Sequence, residues 1–241
     1  MADAERLLHL HGQGDGGRRH FLFVVYGIQS HLNPCRVLAR SLVQLHDVDG
    51  SGPVLATLSV PLFTHRRMFP SSGMGVLEQE DETTDGVISY APYSDGVDDR
   101  TFSRDAGDRA RRRRASFESL SAVVARLAAR GRPVTCLVCS LVLPCALDIA
   151  REHAIPVAVF WIQSATVLAA YYHYFHGYGE LIASHAADPS YEVALPGLCQ
   201  PLRIRDFPSL LVDTTGVLAK VVNEFRELFE YMDEQIGRAH V

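Results

Sequence analysis

Arg19-His20-Phe21-Leu22-Phe23-Val24-Val25-Tyr26-Gly27-Ile28-Gln29-Ser30-His31-Leu32-Asn33-Pro34 is the stretch that decides the fold. Phe21 to Tyr26 is a short, unbroken apolar run of the kind a strand buried on both faces requires, and Gly27 ends it. Asn33 is a good helix N-cap and Pro34 suits the first helical position, after which Val37, Leu38, Leu42 and Leu45 recur at helical spacing. Strand, turn and helix in this order predict a βα unit whose loop carries His31. Open parallel sheets bind ligands beyond the carboxyl ends of their strands, and the adjoining helix N-terminus attracts anions. His31 is therefore expected at a ligand-binding edge.

The same rhythm continues downstream. Strands are predicted near 54 to 60, 86 to 91, 134 to 139 and 156 to 160, with helices near 116 to 130, 144 to 153, 162 to 174 and 215 to 232. Such alternation predicts an α/β fold with a doubly wound, Rossmann-like parallel sheet. In the last helix Val217, Leu218, Val221, Val222, Phe225, Leu228, Phe229 and Met232 give one wide apolar face. Residues 1 to 18 read as a polar, glycine-rich flexible leader. Their Gly12-Gln13-Gly14-Asp15-Gly16-Gly17 spells a dinucleotide pattern but precedes the first strand, so it does not make a phosphate loop.

With 241 residues, 47% of them hydrophobic, the chain can bury a real core in one or two domains. No apolar run approaches a membrane span, and the start lacks the basic-then-apolar order of a signal peptide, so a cytoplasmic address is expected. The net charge of −5 argues against general nucleic-acid affinity. The run Arg109-Ala110-Arg111-Arg112-Arg113-Arg114 could serve as a nuclear signal, a nucleic-acid patch or, with Ser116, a kinase site; the favoured reading is a solvated loop and helix start, diluted by Asp98, Asp99, Asp105 and Asp108. The five cysteines are an odd number and suggest small buried hydrophobes; Cys136-x-x-Cys139 lies in an apolar run without a partner pair, so no metal or redox site is expected.

Six segments in order carry a resemblance. They are Gly27-Ile28-Gln29-Ser30-His31-Leu32-Asn33-Pro34, Tyr93-Ser94-Asp95-Gly96, Pro133-Val134-Thr135-Cys136-Leu137-Val138, Phe160-Trp161-Ile162-Gln163-Ser164-Ala165-Thr166-Val167, Tyr171-Tyr172-His173-Tyr174-Phe175-His176-Gly177-Tyr178 and Leu195-Pro196-Gly197-Leu198. From His20 to about Met232 the chain resembles the N-terminal half of plant family-1 UDP-glycosyltransferases, most closely the anthocyanin 5-O-glucosyltransferase-like branch. The resemblance implies a GT-B architecture of two Rossmann-like domains, the N-terminal one holding mainly the acceptor and the C-terminal one mainly the UDP-sugar. It implies transfer of a sugar, usually glucose, from UDP to a small hydroxyl- or carboxyl-bearing plant metabolite such as a flavonoid, with inversion, by a monomer. The UDP-sugar is a co-substrate; no resident cofactor or metal is implied. His31 matches the catalytic base, and Gln29, Ser30, Ser140, Trp161, Gln163 and Ser164 are expected to bind acceptor or sugar. His173 and His176, one turn apart, are explained as packing and acceptor-pocket wall.

Two departures from that pattern stand out. Many members carry an aspartate after the strand that ends at Cys139, where it would orient the histidine and stabilise the imidazolium; here the residue is Ser140. Asp148 lies about two turns into the next helix and does not replace it. The donor-binding signature of the C-terminal domain is also missing. The expected organisation is a leader at 1 to 18, an incomplete acceptor domain at 19 to 235, and a non-native tail at 236 to 241 that reads as a translated library adapter. Such a fragment is expected not to turn over by itself and to fold poorly. The alternative is a non-catalytic short form that binds a small metabolite between Trp161, Tyr171, Tyr172, Tyr174 and Phe175.

Overall fold

A computed structural model describes residues 18–45, 52–70, 82–97, 106–140 and 143–239. Strand β1 (Arg19–Val24) lies at the centre of a six-stranded sheet, paired in parallel with β2 (Val54–Ser59) on one side and β5 (Cys136–Cys139) on the other. Beyond β2 come β4 (Ser89–Tyr90) and an edge strand β3 (Thr83–Thr84); beyond β5 comes β6 (Val157–Val159), so the order is β3-β4-β2-β1-β5-β6. All neighbours are parallel except β3 and β4. Alternate residues of β1 and the residue after it enter two different cores: Leu22 and Val24 join the core beneath α3 (Ala106–Ala129), and Phe23 and Val25 the one beneath α1 (Gln29–Leu45). Burial on both faces is what the unbroken apolar run requires.

The antiparallel β3–β4 edge replaces the single strand expected at 86 to 91. Asp85 and Gly86 turn the chain: the Asp85 carboxylate accepts the Val87 and Ile88 amides, both at 3.1 Å, and Gly86 adopts φ 89°, open to glycine at little cost. On α1, Cys35 and Ala39 are buried with Leu38 and Leu42 packed beside them, while Val37, two residues from Cys35 and on the opposite side, is 66% exposed. The expected apolar face was thus misplaced at Val37.

Helix α2 (Leu62–Met68) was not anticipated. Helix α3 starts ten residues before the expected 116, so the arginine run is helical. Its charges are paired: Arg112 with Asp95 at 3.3 Å, Arg113 with Asp148 at 2.8 Å and Glu227 at 3.1 Å, Arg114 with Glu118 at 2.8 Å, and Arg109 with Glu224. Ser116 is buried. Asp98, Asp99 and Asp105, expected to dilute the run, lie outside the described residues.

After α4 (Pro144–Glu152) and β6 come α5 (Ala165–His173), a π-type turn (Tyr174–Tyr178), α6 (Gly179–Ser184), the hairpin β7 (Glu192–Val193) and β8 (Leu202–Arg203), and α7 (Ala219–Ala239). Helix α7 starts four residues later than expected. Asp213 caps the Leu218 amide at 2.8 Å, and Val217, expected on the apolar face, is 78% exposed in the preceding turn. The helix runs to Ala239, past the expected break at 236. The leader and its glycine pattern lie outside the described residues, among which no helix is long and apolar enough to cross a membrane.

Glu82 anchors the edge of the sheet to the segment that leads into β5. Burial alone would raise its carboxyl pKa, but hydrogen bonds from Arg132 and Ser89, the charge of Arg132 and a hydrogen bond from Arg130 outweigh that and hold it at about 2. A carboxylate depressed in the folded state contributes stability that is present above its ordinary value of 4.5 and lost as pH falls towards about 2. Glu82→Gln is therefore expected to lower stability at pH 7 and to flatten the loss of stability between those two pH values. Urea midpoints measured across that range check this; a variant as acid-sensitive as the parent contradicts it.

Candidate functional site

His31 lies in the first turn of α1, not in the preceding loop, because the helix starts at Gln29 instead of Pro34. The Ile28 carbonyl accepts the amides of His31 at 3.1 Å and Leu32 at 3.0 Å, so backbone closes the helix where an Asn33 cap was expected. Pro34, now inside the helix, has no N–H for the Ser30 carbonyl one turn back. Gly27 permits this tight entry: a Cβ there would lie 2.6 Å from Thr64 Oγ1, whose hydroxyl donates to the Gly27 carbonyl at 3.2 Å.

Ser140 follows β5, the parallel neighbour of β1, so both strands deliver their next residues to the same edge. His31 Nδ1 lies 3.2 Å from Ser140 Oγ, with His31 8% exposed and Ser140 3% exposed. Burial lowers the imidazole pKa below 6.5, and a hydrogen bond from the ring to the Ser140 backbone opposes it only in part. At ordinary cellular pH the ring is neutral, with Nε2 left as the nitrogen Ser140 does not engage. Tyr26 meets the ring edge-on at a centroid distance of 6.2 Å and is 44% exposed. Cys35, one helical turn from His31, is buried in the same corner; burial raises its thiol pKa, and a hydrogen bond with Ser140 partly offsets this. The sequence suggests Cys35 as a small buried hydrophobe, which it is; only the earlier helix start puts it on one face with His31.

Among the described residues no carboxylate reaches His31. Asp148 is engaged elsewhere, accepting two hydrogen bonds from Arg113 at 2.8 Å each. The remaining expected site residues form a row along the edge, not a cluster. Gln29 and Ser30 are exposed at the start of α1. Trp161, Gln163 and Ser164 follow β6, two strands away from β1. Ser164 caps α5 by accepting the Val167 amide at 3.4 Å, and the Trp161 indole N–H donates to the Ser164 carbonyl at 3.1 Å.

Of the aromatic residues offered for a metabolite-binding short form, Tyr171 is buried, Trp161, Tyr174 and Phe175 pack against the core, and Tyr172 is exposed. Tyr171 stacks on Phe225 of α7 at 4.5 Å with an interplanar angle of 8°, Trp161 meets both rings edge-on, and Phe175 packs on Phe229. A cavity of about 150 Å³ between Tyr174, Leu211, Asp213 and Asn223 has no residue of the His31 group in its lining and is below the roughly 300 Å³ of common ligand pockets. His173 bonds the Pro196 carbonyl at 2.9 Å. His176, stacked on Tyr172, bonds Asp233 of α7 at 2.8 Å. Both are packing groups, and neither reaches His31. Burial pushes the Cys136 thiol up to about 11 and the Cys139 thiol up to about 12.

No family model matches the chain. The chain is 37% identical over 211 residues to mogroside I-E synthase of Siraitia grosvenorii, a match covering 86% of the chain and 40% of that protein. It is 36% identical over 203 residues to UDP-glycosyltransferase 75C1 of Solanum lycopersicum, covering 82% of the chain and 39% of the relative. The chain thus spans about two fifths of the length of the curated relatives it matches. Among solved structures, a UDP-glucosyltransferase from Polygonum tinctorium shares the fold with a TM-score of 0.58 at 21% identity, over 89% of this chain and 44% of that one. On sequence and fold together, the chain belongs to the plant UDP-glycosyltransferases.

Proposed function

We propose that this chain is the acceptor-binding part of an enzyme that transfers a sugar, glucose in the first instance, from UDP to a small hydroxyl- or carboxyl-bearing plant metabolite, flavonoids and anthocyanins included. The observation that carries the reading is the neutral imidazole of His31, held through Nδ1 by Ser140 at the carboxyl edge of the parallel sheet. For a hydroxyl acceptor, Nε2 takes the proton as the acceptor oxygen bonds to the anomeric carbon, while the bond to the UDP oxygen breaks with its electron pair. Attack from the face opposite the departing diphosphate inverts the anomeric centre. The UDP-sugar acts as co-substrate, and the imidazole does the proton work without a metal or resident cofactor. Gln29 and Ser30, exposed beside His31, are proposed to contact acceptor or sugar, with Trp161, Gln163 and Ser164 farther along the same edge. The proposal takes the full-length enzyme to be a cytoplasmic monomer, which light scattering and a fluorescent fusion would check.

The test is incubation of the complete transferase with UDP-glucose and a flavonoid, read by mass spectrometry and by NMR of the product's anomeric proton. Gain of one hexose with inverted configuration supports the proposal. Retention of configuration, or UDP-glucose left intact with every hydroxyl- and carboxyl-bearing acceptor tried, overturns it.

A further inference from the structure

Among the described residues, the group around His31 holds no charge to balance the cation its role creates. Taking a proton makes an imidazolium in a nearly closed corner, where desolvation penalises charge. From β5 the ring meets Ser140, from the β1–α1 turn Tyr26, and behind Ser140 from α1 itself stands the buried thiol of Cys35. None of these is a carboxylate. A carboxylate at the position of Ser140 would balance the imidazolium, whereas a hydroxyl offers only a dipole at 3.2 Å.

How much this matters depends on how far the proton has moved in the transition state, which the acidity of the acceptor sets. A carboxylic acid, with a pKa of about 4, arrives ionised and gives His31 no proton; a phenol, at about 10, releases one readily. An aliphatic alcohol is nearer to water, at about 15.7, and must pass its proton almost fully to Nε2 while the new bond forms. The absent carboxylate therefore costs nothing for the first, a little for the second and most for the third. Resting on the assignment of His31 as base, we propose that Ser140 makes this site selective for acidic acceptor oxygens, so that carboxylates and phenols are glycosylated and aliphatic alcohols are not.

The experiment measures kcat/KM of the complete transferase with UDP-glucose and three acceptors of matched size: an aromatic carboxylate, a phenol and a benzylic alcohol. The alcohol is expected to fall at least about a hundredfold below the phenol. Ser140→Asp is expected to raise the ratio of alcohol to phenol turnover about tenfold or more. His31→Ala is expected to lower the phenol about a hundredfold or more and the carboxylate by a smaller factor. Should Ser140→Asp fail to fold, the parent series still decides. An alcohol turned over within about tenfold of the phenol, with His31→Ala inactive on both, overturns the selectivity and leaves the base assignment standing. Phenol turnover that survives His31→Ala overturns the base assignment, and the selectivity with it.

Discussion

His31→Ala in the complete transferase is expected to lower kcat for a phenolic acceptor about 10²- to 10⁴-fold, the usual worth of a positioned general base. The variant removes the group the proposal assigns to take the proton: Ser140 and Tyr26 beside it are poor bases, and Asp148 is bound to Arg113. The backbone that closes the first turn of α1 does not involve the ring, so the helix start survives the change. Binding of UDP, which the proposal assigns mainly to the other domain, is expected to stay within about twofold, a difference of less than 0.5 kcal/mol. Initial rates and calorimetric titration with UDP together check this. Equal losses of rate and UDP affinity would mean that the residue holds structure instead of moving a proton.

Phe225→Ala is expected to cost about 3–5 kcal/mol of stability, the range for emptying a buried phenylalanine site. Phe225 is 5% exposed, lies flat on Tyr171 and touches Trp161 edge-on, so its ring joins α7 to α5 and to the segment after β6. Little nearby can collapse into the space, because both neighbouring rings are held, Trp161 by its indole hydrogen bond and Tyr171 by burial on its helix. Val217→Ala, at an exposed turn position, serves as the control and is expected to change stability by less than about 0.5 kcal/mol. Urea midpoints read the difference. Comparable small effects at both positions would show that α7 does not belong to the core.

What the sequence made legible follows from how strongly each element depends on apolar pattern. Strands β1, β2, β5 and β6 fall within two residues of their expected positions, since a parallel strand buried on both faces reads as an uninterrupted apolar run. The start of α1 was misread because Asn33-Pro34 is a strong local cap signal, yet the Ile28 carbonyl and the room left by Gly27 let the helix begin earlier. Helix α3 was read short because five arginines in six residues look like solvated loop until Asp148, Glu224 and Glu227 from distant helices pair with them. At the site, the position of His31 after β1 was legible, whereas its meeting with Ser140 depends on the β1–β5 pairing, which no local pattern encodes. The packing of Trp161 against Tyr171 and Phe225 likewise depends on tertiary contacts that its local sequence does not encode.

The pH dependence of kcat/KM for a phenolic acceptor tests the central claim most directly. If neutral His31 is the base, the rate falls as pH drops through an apparent pKa below 6.5, because burial lowers the imidazole and Ser140 adds no charge to raise it. That limb should vanish in His31→Ala, leaving a low, flat profile. A parent profile flat across the same range, or an acid limb that persists unchanged without the imidazole, would contradict the assignment of His31 as the base.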